Sequence, residues 1–295
     1  MAAVAIVVVT YNSEACIGGL LDSITDSGAD AIVVVDNGST DATVRIVEGR
    51  EGVRLVRSTN VGYSGGINRG VREVPGADAY LILNPDLVVR PGLVRLLAAA
   101  LAEPRVGIVA PLVLGSDGHR QDSLRREPSL LRALGLNSTG IPLLSEYVTG
   151  DDAYAAARDA DWALGAALMF SRTCYDAVGG WDESYFLYSE ETDFCLRARD
   201  LGWRTRLVPD AVVVHHEGGS GRSDATHVMQ IVNRVRLYAR RHPRPAGYAY
   251  LALTVLSELT WVARGHTQSR ASIRGLLRPR TRPSVLGCSR SLLPR

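Results

Sequence analysis

Short apolar, β-branched runs alternate with amphipathic stretches through the first hundred residues. Residues 4–9, 31–35, 53–56 and 80–83 read as strands, and 13–24, 41–48, 64–74 and 91–101 carry the spacing of helices. Strand and helix repeated at this interval predict an α/β fold with a mostly parallel central sheet and helices on both faces. In such sheets ligands gather at the carboxyl ends of the strands, so the polar residues after each strand are the first candidates for chemistry. They are Thr10, Tyr11 and Asn12 after the first strand, 36–41 after the second, 58–60 after the third and 84–86 after the fourth.

The pattern loosens between residues 115 and 161, where Pro128, Pro142 and scattered Gly and Ser predict irregular structure of the kind that carries ligand recognition. Order returns with an apolar run at 162–170, an acid-rich turn into a helix at 190–200 and a strand at 212–215. A helical, basic extension is expected over 224–295, broken at Pro243 and Pro245. Its apolar stretch at 248–263 contains Ser257, Glu258 and Thr260, which suits an interfacial or packed helix better than a membrane span. These readings place one domain at 1–223, divided into halves at 1–114 and 115–223, ahead of the extension.

With 295 residues and 46% hydrophobic content, the chain can bury a substantial core, which excludes disordered and fibrous classes. Every one of the 33 basic residues is Arg. Residues 230–295 hold thirteen Arg against one acid, Glu258, a balance of +12 that leaves the first 229 residues at −10 within the overall +2. A basic tail interleaved with apolar residues points to an anionic membrane surface rather than nucleic acid. Cys16, Cys174, Cys195 and Cys288 are far apart with no Cys-x-x-Cys pair, which argues against a zinc knuckle or a disulfide framework and for a reducing cytosol. The apolar start lacks a preceding basic segment and a cleavage site, so it is expected to be a buried strand rather than a signal.

Five groups of residues carry candidate chemistry. The run Asp36-Asn37-Gly38-Ser39-Thr40-Asp41 puts a carboxylate at a strand end, where it either orders the following helix start or accepts hydrogen bonds from a ribose or a base imide. The glycine-rich turn of a dinucleotide-binding unit is missing after the first strand, which disfavours hydride transfer. Instead Asn60, Gly62, Gly65 and Gly66 follow the third strand, serving a tight turn or a close backbone approach to a ligand. Asn84-Pro85-Asp86 ends the fourth, where a carboxylate can hold a divalent cation on a diphosphate. Glu190 and Glu191 are adjacent carboxylates in an aromatic setting, which raises their proton affinity toward that of a general base, while Asp193 and Arg197 are spaced for an ion pair. His215 and His216 close a strand, and its alternation sends only one of them into the site; Arg222 lies in the polar loop beyond, suited to phosphates or to solvent.

In order and spacing, Thr10-Tyr11-Asn12, Asp36 to Asp41, Asn60-x-Gly62, Asn84-Pro85-Asp86, Gly179-Gly180-Trp181-Asp182, Glu190-Glu191-x-Asp193 and His215-x-x-Gly218 resemble glycosyltransferase family 2, and within it the bacterial rhamnosyltransferases of polysaccharide and cell-wall assembly. The matches run from the first strand to about Asp224. The resemblance implies a GT-A fold and inverting transfer of a sugar from a nucleoside diphosphate, here dTDP-L-rhamnose. It implies that Asp36 and Asn37, with Thr10, Tyr11 and Asn12, line the nucleoside pocket and that Asn60, Gly62, Asn84 and Arg222 complete the donor site. Asp86 would stand for the last acid of the family's metal motif, with His215 beside a Mg²⁺ or Mn²⁺ ion, and Asn84 replaces the first acid. Glu191 occupies the position of the family's catalytic Asp, one methylene longer, and Glu190 is its rival. Trp181 and Asp182 would face the acceptor, a glycan on a polyprenyl diphosphate, met by a peripheral enzyme at the inner face of the cell membrane, as a monomer or an oligomer. The same reaction with a UDP- or GDP-sugar, a nucleotidyltransferase and a non-catalytic nucleotide- or membrane-binding relative are the competing readings; the nucleotidyltransferase lacks its Gly- and Lys-bearing first loop here.

Overall fold

A computed structural model describes residues 2–216, 223–286 and 292. Its strands are β1 (Val4–Thr10), β2 (Ala31–Asp36), β3 (Val53–Arg57), β4 (Ala79–Leu83), β5 (Leu87–Val89), β6 (Val106–Gly115), β7 (Leu124–Arg125), β8 (Arg158–Ala160), β9 (Trp162–Ala163), β10 (Ala167–Ser171) and β11 (Arg204–His215). The α-helices are α1 (Ile17–Ile24), α2 (Thr43–Glu48), α3 (Gly62–Glu73), α4 (Leu93–Leu101), α5 (Arg172–Val178), α6 (Glu190–Asp200), α7 (Asp224–Arg241), α8 (Arg244–Ala263) and α9 (Gln268–Leu277). The central sheet runs β3-β2-β1-β4-β10-β6-β11-β5, with β8 paired to β11.

Pairing is parallel through β3, β2, β1 and β4 and again between β6 and β11. Between those blocks β10 runs antiparallel to both β4 and β6, and β5 and β8 are antiparallel to β11. The sheet is therefore parallel in its first half and mixed beyond it. The expected halves 1–114 and 115–223 share this one sheet, because β10, from the second, is wedged between β4 and β6.

Alternation along the central strands builds two cores. Val4, Ile6 and Val8 of β1 face α1 and α4, while Ala5, Val7 and Val9 face α3. Gly70 lets α3 lie close on β1, since a Cβ there would sit 2.3 Å from Val7 Cγ1. On the same side an aromatic cluster forms, with Trp181 stacked on Phe194 at 4.7 Å and Phe170 tilted against both.

A third core joins the C-terminal helices to the rest of the chain. Val228, Met229, Val232, Val235 and Tyr238 of α7 pack with Tyr250, Leu276 and Ala133, and Phe186 and Leu187 lean on them. The boundary expected at 223/224 falls at the α7 N-cap, where Ser223 and Thr226 form a capping box. Polar contacts cross it. Arg234 pairs with Glu146 at 2.5 Å, Arg240 with Asp182 at 2.7 Å and Arg241 with Asp200 at 2.7 Å, while Arg236 donates to the Ser184 carbonyl at 2.6 Å. Four arginines of the basic extension are thus directed into the protein and are not free for an outside anion. The described cysteines Cys16, Cys174 and Cys195 are free thiols.

A fragment ending at Ser223 would lose this third core and those anchors. It is expected to be insoluble or to melt far below the full chain; a fragment with the full chain's circular dichroism, melting midpoint and nucleotide affinity would show that 224–295 is a dispensable appendage.

Candidate active site

The site is assembled along the carboxyl edge of the parallel strands. The β1–β2 register sets Thr10 beside Asp36, and the Thr10 hydroxyl donates to Asp36 Oδ1 at 3.1 Å. Asp36 Oδ2 accepts from the backbone N–H groups of Gly38 and Ser39 at 3.1 and 2.9 Å, and the Ser39 hydroxyl donates to Oδ1. Asp36 therefore does order the turn after β2, and a ligand N–H or O–H would compete with the rotatable Ser39 hydroxyl. Asn37 donates to the Gly62 carbonyl at 2.9 Å and leaves its own Oδ1 buried without a partner. Tyr11 is 55% exposed at the rim. Asn12, at φ +50°, is a turn residue: its Oδ1 accepts from the Thr40 N–H at 2.8 Å and its N–H donates to Ser39 Oγ at 2.9 Å. Asn60 Oδ1 accepts from the Gly62 N–H at 3.2 Å.

Gly62 is required by both conformation and space. Its φ is +79°, and a Cβ would lie 2.4 Å from the Phe186 carbonyl oxygen. The same carbonyl accepts from the Tyr63 N–H at 2.8 Å, so the loop after β3 is fastened to the segment that carries Glu190 and Glu191.

On the next strand end, Asn84 Oδ1 accepts from the Tyr63 hydroxyl at 2.8 Å, and the Gly165 carbonyl lies 3.1 Å from that hydroxyl. Asp86 is buried, and its Oδ1 has no hydrogen-bond donor. His215 Nε2 is 3.4 Å from that oxygen, while its Nδ1 lies 3.3 Å from Gln121 Oε1. His216 turns the other way, its Nδ1 2.9 Å from Ser116 Oγ. Strand alternation thus resolves the histidine pair: His215 faces Asp86. Arg222 lies outside the described residues. Among the described residues no three His, Cys, Asp or Glu side chains converge, so Asp86 and His215 stand as a pair.

Glu190 and Glu191 open α6 behind two consecutive non-glycine residues in the left-handed region, Tyr188 at φ +68° and Ser189 at φ +73°. Such a turn persists only when its surroundings hold it. Asn233 of α7, fully buried, donates from Nδ2 to the carbonyls of Leu187 at 2.9 Å and Tyr188 at 3.1 Å. Arg236 and Arg240 continue the same helix face at i+3 and i+7, meeting Ser184 and Asp182. The segment 182–189 is moulded on a polar stripe of α7.

Burial and the charge of Glu191 push the Glu190 carboxyl well above the usual carboxylate range. Burial also raises Glu191, opposed by its own and the Thr192 N–H groups, by Arg125 and by the Gly165 backbone. Each carboxyl keeps one buried oxygen, Oε2, with no partner. Burial, with Glu190, Glu191 and Asp86 nearby, raises the Tyr63 hydroxyl as well, so Tyr63 stays a neutral hydrogen-bonding group between the two acidic centres.

Trp181 corrects an expectation. It is 2% exposed, locked in the aromatic core, and its backbone N–H and C=O are both held by the Asn68 amide at 3.1 and 2.9 Å. The Gly179-Gly180 pair before it serves this fit: both have positive φ, and a Cβ on Gly180 would meet Tyr175 Oη at 3.1 Å. Trp181 presents no surface to an acceptor, and Asp182 is committed to Arg240. Asp193 and Arg197 form the expected ion pair at 2.6 Å. Tyr63, Arg125 and Asn233 were not foreseen. Tyr63 stands next to the Gly62 motif, and Asn233 is a lone amide in an otherwise apolar helix stripe; both were readable as signals, whereas the approach of Arg125 to Glu191 depends on tertiary structure alone.

A sheet of this topology with its acidic groups on one edge defines a GT-A-type sugar transferase. The family model Glycosyl transferase family 2 matches residues 5–161. The chain is 31% identical over 263 residues to the N-acetylglucosaminyl-diphospho-decaprenol L-rhamnosyltransferase of Mycobacterium tuberculosis, covering 83% of this chain and 85% of that one. It is 27% identical to the rhamnosyltransferase WbbL of Escherichia coli, over 74% of this chain and 85% of WbbL. A solved mannosyltransferase from Pyrobaculum calidifontis, in complex with GDP-Man and Mn²⁺, shares the fold with a TM-score of 0.57 at 19% identity, covering 94% of this chain and 81% of that one. The chain belongs to glycosyltransferase family 2 and is a glycosyltransferase.

Two outcomes follow from this geometry. Asn233→Ala removes both donors from the strained turn; kcat is expected to fall about tenfold or more, equivalent to about 1.4 kcal/mol, while donor affinity measured by calorimetry stays within a few-fold. For Glu190, the folded state retains a proton that the unfolded chain gives up above about pH 4.3. Its stabilising contribution is complete below that value and is lost as pH rises through the raised folded value. The urea midpoint of the native chain should therefore decline on going from pH 5 to pH 8 by more than that of Glu190→Gln; parallel declines would refute the assignment.

Proposed function

We propose that the chain transfers L-rhamnose from dTDP-L-rhamnose, with inversion, to a hydroxyl of a polyprenyl-diphosphate-linked glycan. The observation that carries this reading is the adjacent buried carboxylates of Glu190 and Glu191, fixed by a strained turn on the sheet edge that also holds Asp86, His215 and Asp36. Donor and acceptor are supported by the Mycobacterium tuberculosis relative, whose name gives both a rhamnosyl transfer and a diphospho-decaprenol acceptor. Such an acceptor puts the enzyme at the inner face of the cell membrane as a peripheral protein.

In this mechanism Glu191 is the base. It is less buried than Glu190, and Arg125 and the Gly165 backbone favour its charged form, whereas Glu190 has burial and a like charge against ionisation. Glu191 takes the proton from the acceptor hydroxyl as that oxygen bonds to the anomeric carbon. The bond from that carbon to the diphosphate oxygen breaks on the opposite face, which inverts the centre, and Glu191 then releases its proton to solvent. Glu190, kept neutral, avoids a second negative charge beside the base. Asp36 and Asn37 hold the nucleoside, and Tyr11 covers it from the rim.

The unpartnered, buried Asp86 Oδ1 beside an imidazole nitrogen fits a divalent cation, and Asp86 and His215 would hold Mg²⁺ or Mn²⁺ with donor oxygens completing the shell. The cation supplies positive charge for the leaving diphosphate.

Calorimetry with dTDP-L-rhamnose, UDP-N-acetylglucosamine and GDP-mannose, each with and without Mg²⁺, tests the donor assignment. The expected result is selective binding of dTDP-L-rhamnose that Mg²⁺ strengthens and Asp86→Ala weakens; preference for a UDP- or GDP-sugar would replace the donor. Glu191→Gln should reduce kcat by about 10²–10⁴-fold with donor affinity kept, and wild-type kcat should rise with pH through the raised Glu191 value. Full turnover by Glu191→Gln would move the base elsewhere.

A further inference from the structure

Helix α8 is amphipathic in the inverse sense. Its inward face carries Gly247, Tyr250, Thr254, Ser257 and Glu258, all buried. Glu258 lies 3.4 Å from His227 of α7, so the one acid of residues 230–295 is turned into the protein. The outward face carries Tyr248, Ala252, Leu256 and Leu259, with Tyr248 60%, Leu256 51% and Leu259 50% exposed. At 1.5 Å per residue this apolar stripe is about 16 Å long, and between residues 245 and 263 Glu258 carries the one charged side chain, which lies on the buried face. A soluble helix buries such a stripe. Here the polar side is buried and the apolar side is left to the surroundings.

Its neighbour α9 presents Arg270 and Arg274 at i and i+4 on its exposed side, Arg278 caps its C-terminus, and Arg264 and Arg280 are exposed nearby in sequence. Among the described residues none of these five guanidinium groups pairs with a carboxylate, whereas Arg234, Arg240 and Arg241 of α7 all do. The basic extension is thus divided into an inner set that binds the enzyme to itself and an outer set beside an apolar stripe. No described helix is long and apolar enough to cross a membrane.

We propose that the outer faces of α8 and α9 form a docking surface for an anionic phospholipid bilayer, with the α8 stripe lying in the interface and the α9 arginines on the headgroups. Charge complementarity selects lipid over a second copy of the chain. An apolar stripe with a one-signed rim complements an apolar layer with anionic headgroups, while two copies would bring their arginine rims together. The proposal rests on the lipid-linked acceptor only for its purpose; the surface itself is independent of the chemistry.

The test is co-sedimentation of the full chain with vesicles of phosphatidylcholine alone or of equal parts phosphatidylcholine and phosphatidylglycerol. Binding is expected to the anionic vesicles, to weaken roughly tenfold or more with Arg270→Glu/Arg274→Glu or on raising salt, and to weaken comparably with Leu256→Ser/Leu259→Ser. Both double variants should bind nucleotide donor as the native chain does, since none of these residues touches the site. Salt-insensitive binding, equal binding to both vesicles, or binding untouched by either double variant would overturn the proposal. So would a dimer in light scattering that Leu256→Ser/Leu259→Ser dissolves, with no vesicle binding. Failure of the donor panel with intact vesicle binding would refute the proposed transfer and leave this surface standing.

Discussion

The constraint on which the rest of the site depends is the left-handed turn at Tyr188 and Ser189. Two adjacent carboxylates at a helix start repel each other and resist burial, and the backbone before them is strained. Neither feature survives unless the segment is held from outside. Here it is held on two sides. The Phe186 carbonyl is seated against Gly62 and bonded to the Tyr63 N–H, and the next two carbonyls are bonded to Asn233. The donor-side loop and the C-terminal helix thereby meet at one short stretch of chain.

This arrangement explains why α7 is polar where it touches the core domain. Asn233, Arg236 and Arg240 form a stripe matched to the carbonyls and hydroxyls of 182–188, while the flanking valines and Met229 fill the third core. Buried amides and guanidinium groups are costly without partners, and each of these has them. Charge that looked, by sum, like a surface for an outside partner is divided by the fold into internal anchors on α7 and cations on α9 that pair with no carboxylate among the described residues.

Tyr63 links the two acidic centres. Its hydroxyl joins Asn84, on the strand end that leads to Asp86, to the Gly165 backbone that borders Glu191. A phenol kept neutral by burial transmits position without adding charge, so the cation-binding side and the base side can be set relative to each other.

Much of the architecture was legible in the chain alone, because it is written in local periodicity. The βα repeat of the first hundred residues, the helix from Glu190 to Asp200, the Asp193–Arg197 pair and the acids and amides at strand ends all follow from spacing and strand alternation. What the tertiary structure decided is whatever depends on which distant segments meet. It set β10 antiparallel between β4 and β6, turned His215 rather than His216 toward Asp86, withdrew Trp181 into an aromatic core and brought Arg125 and Asn233 to the carboxylate pair. It also reversed the sense of α8, whose composition suits either a packed or an interfacial helix and whose exposed side is fixed only by its neighbours. Side-chain orientation, burial and proton affinity are properties of a three-dimensional environment, and a one-dimensional pattern can nominate the residues but not the company they keep.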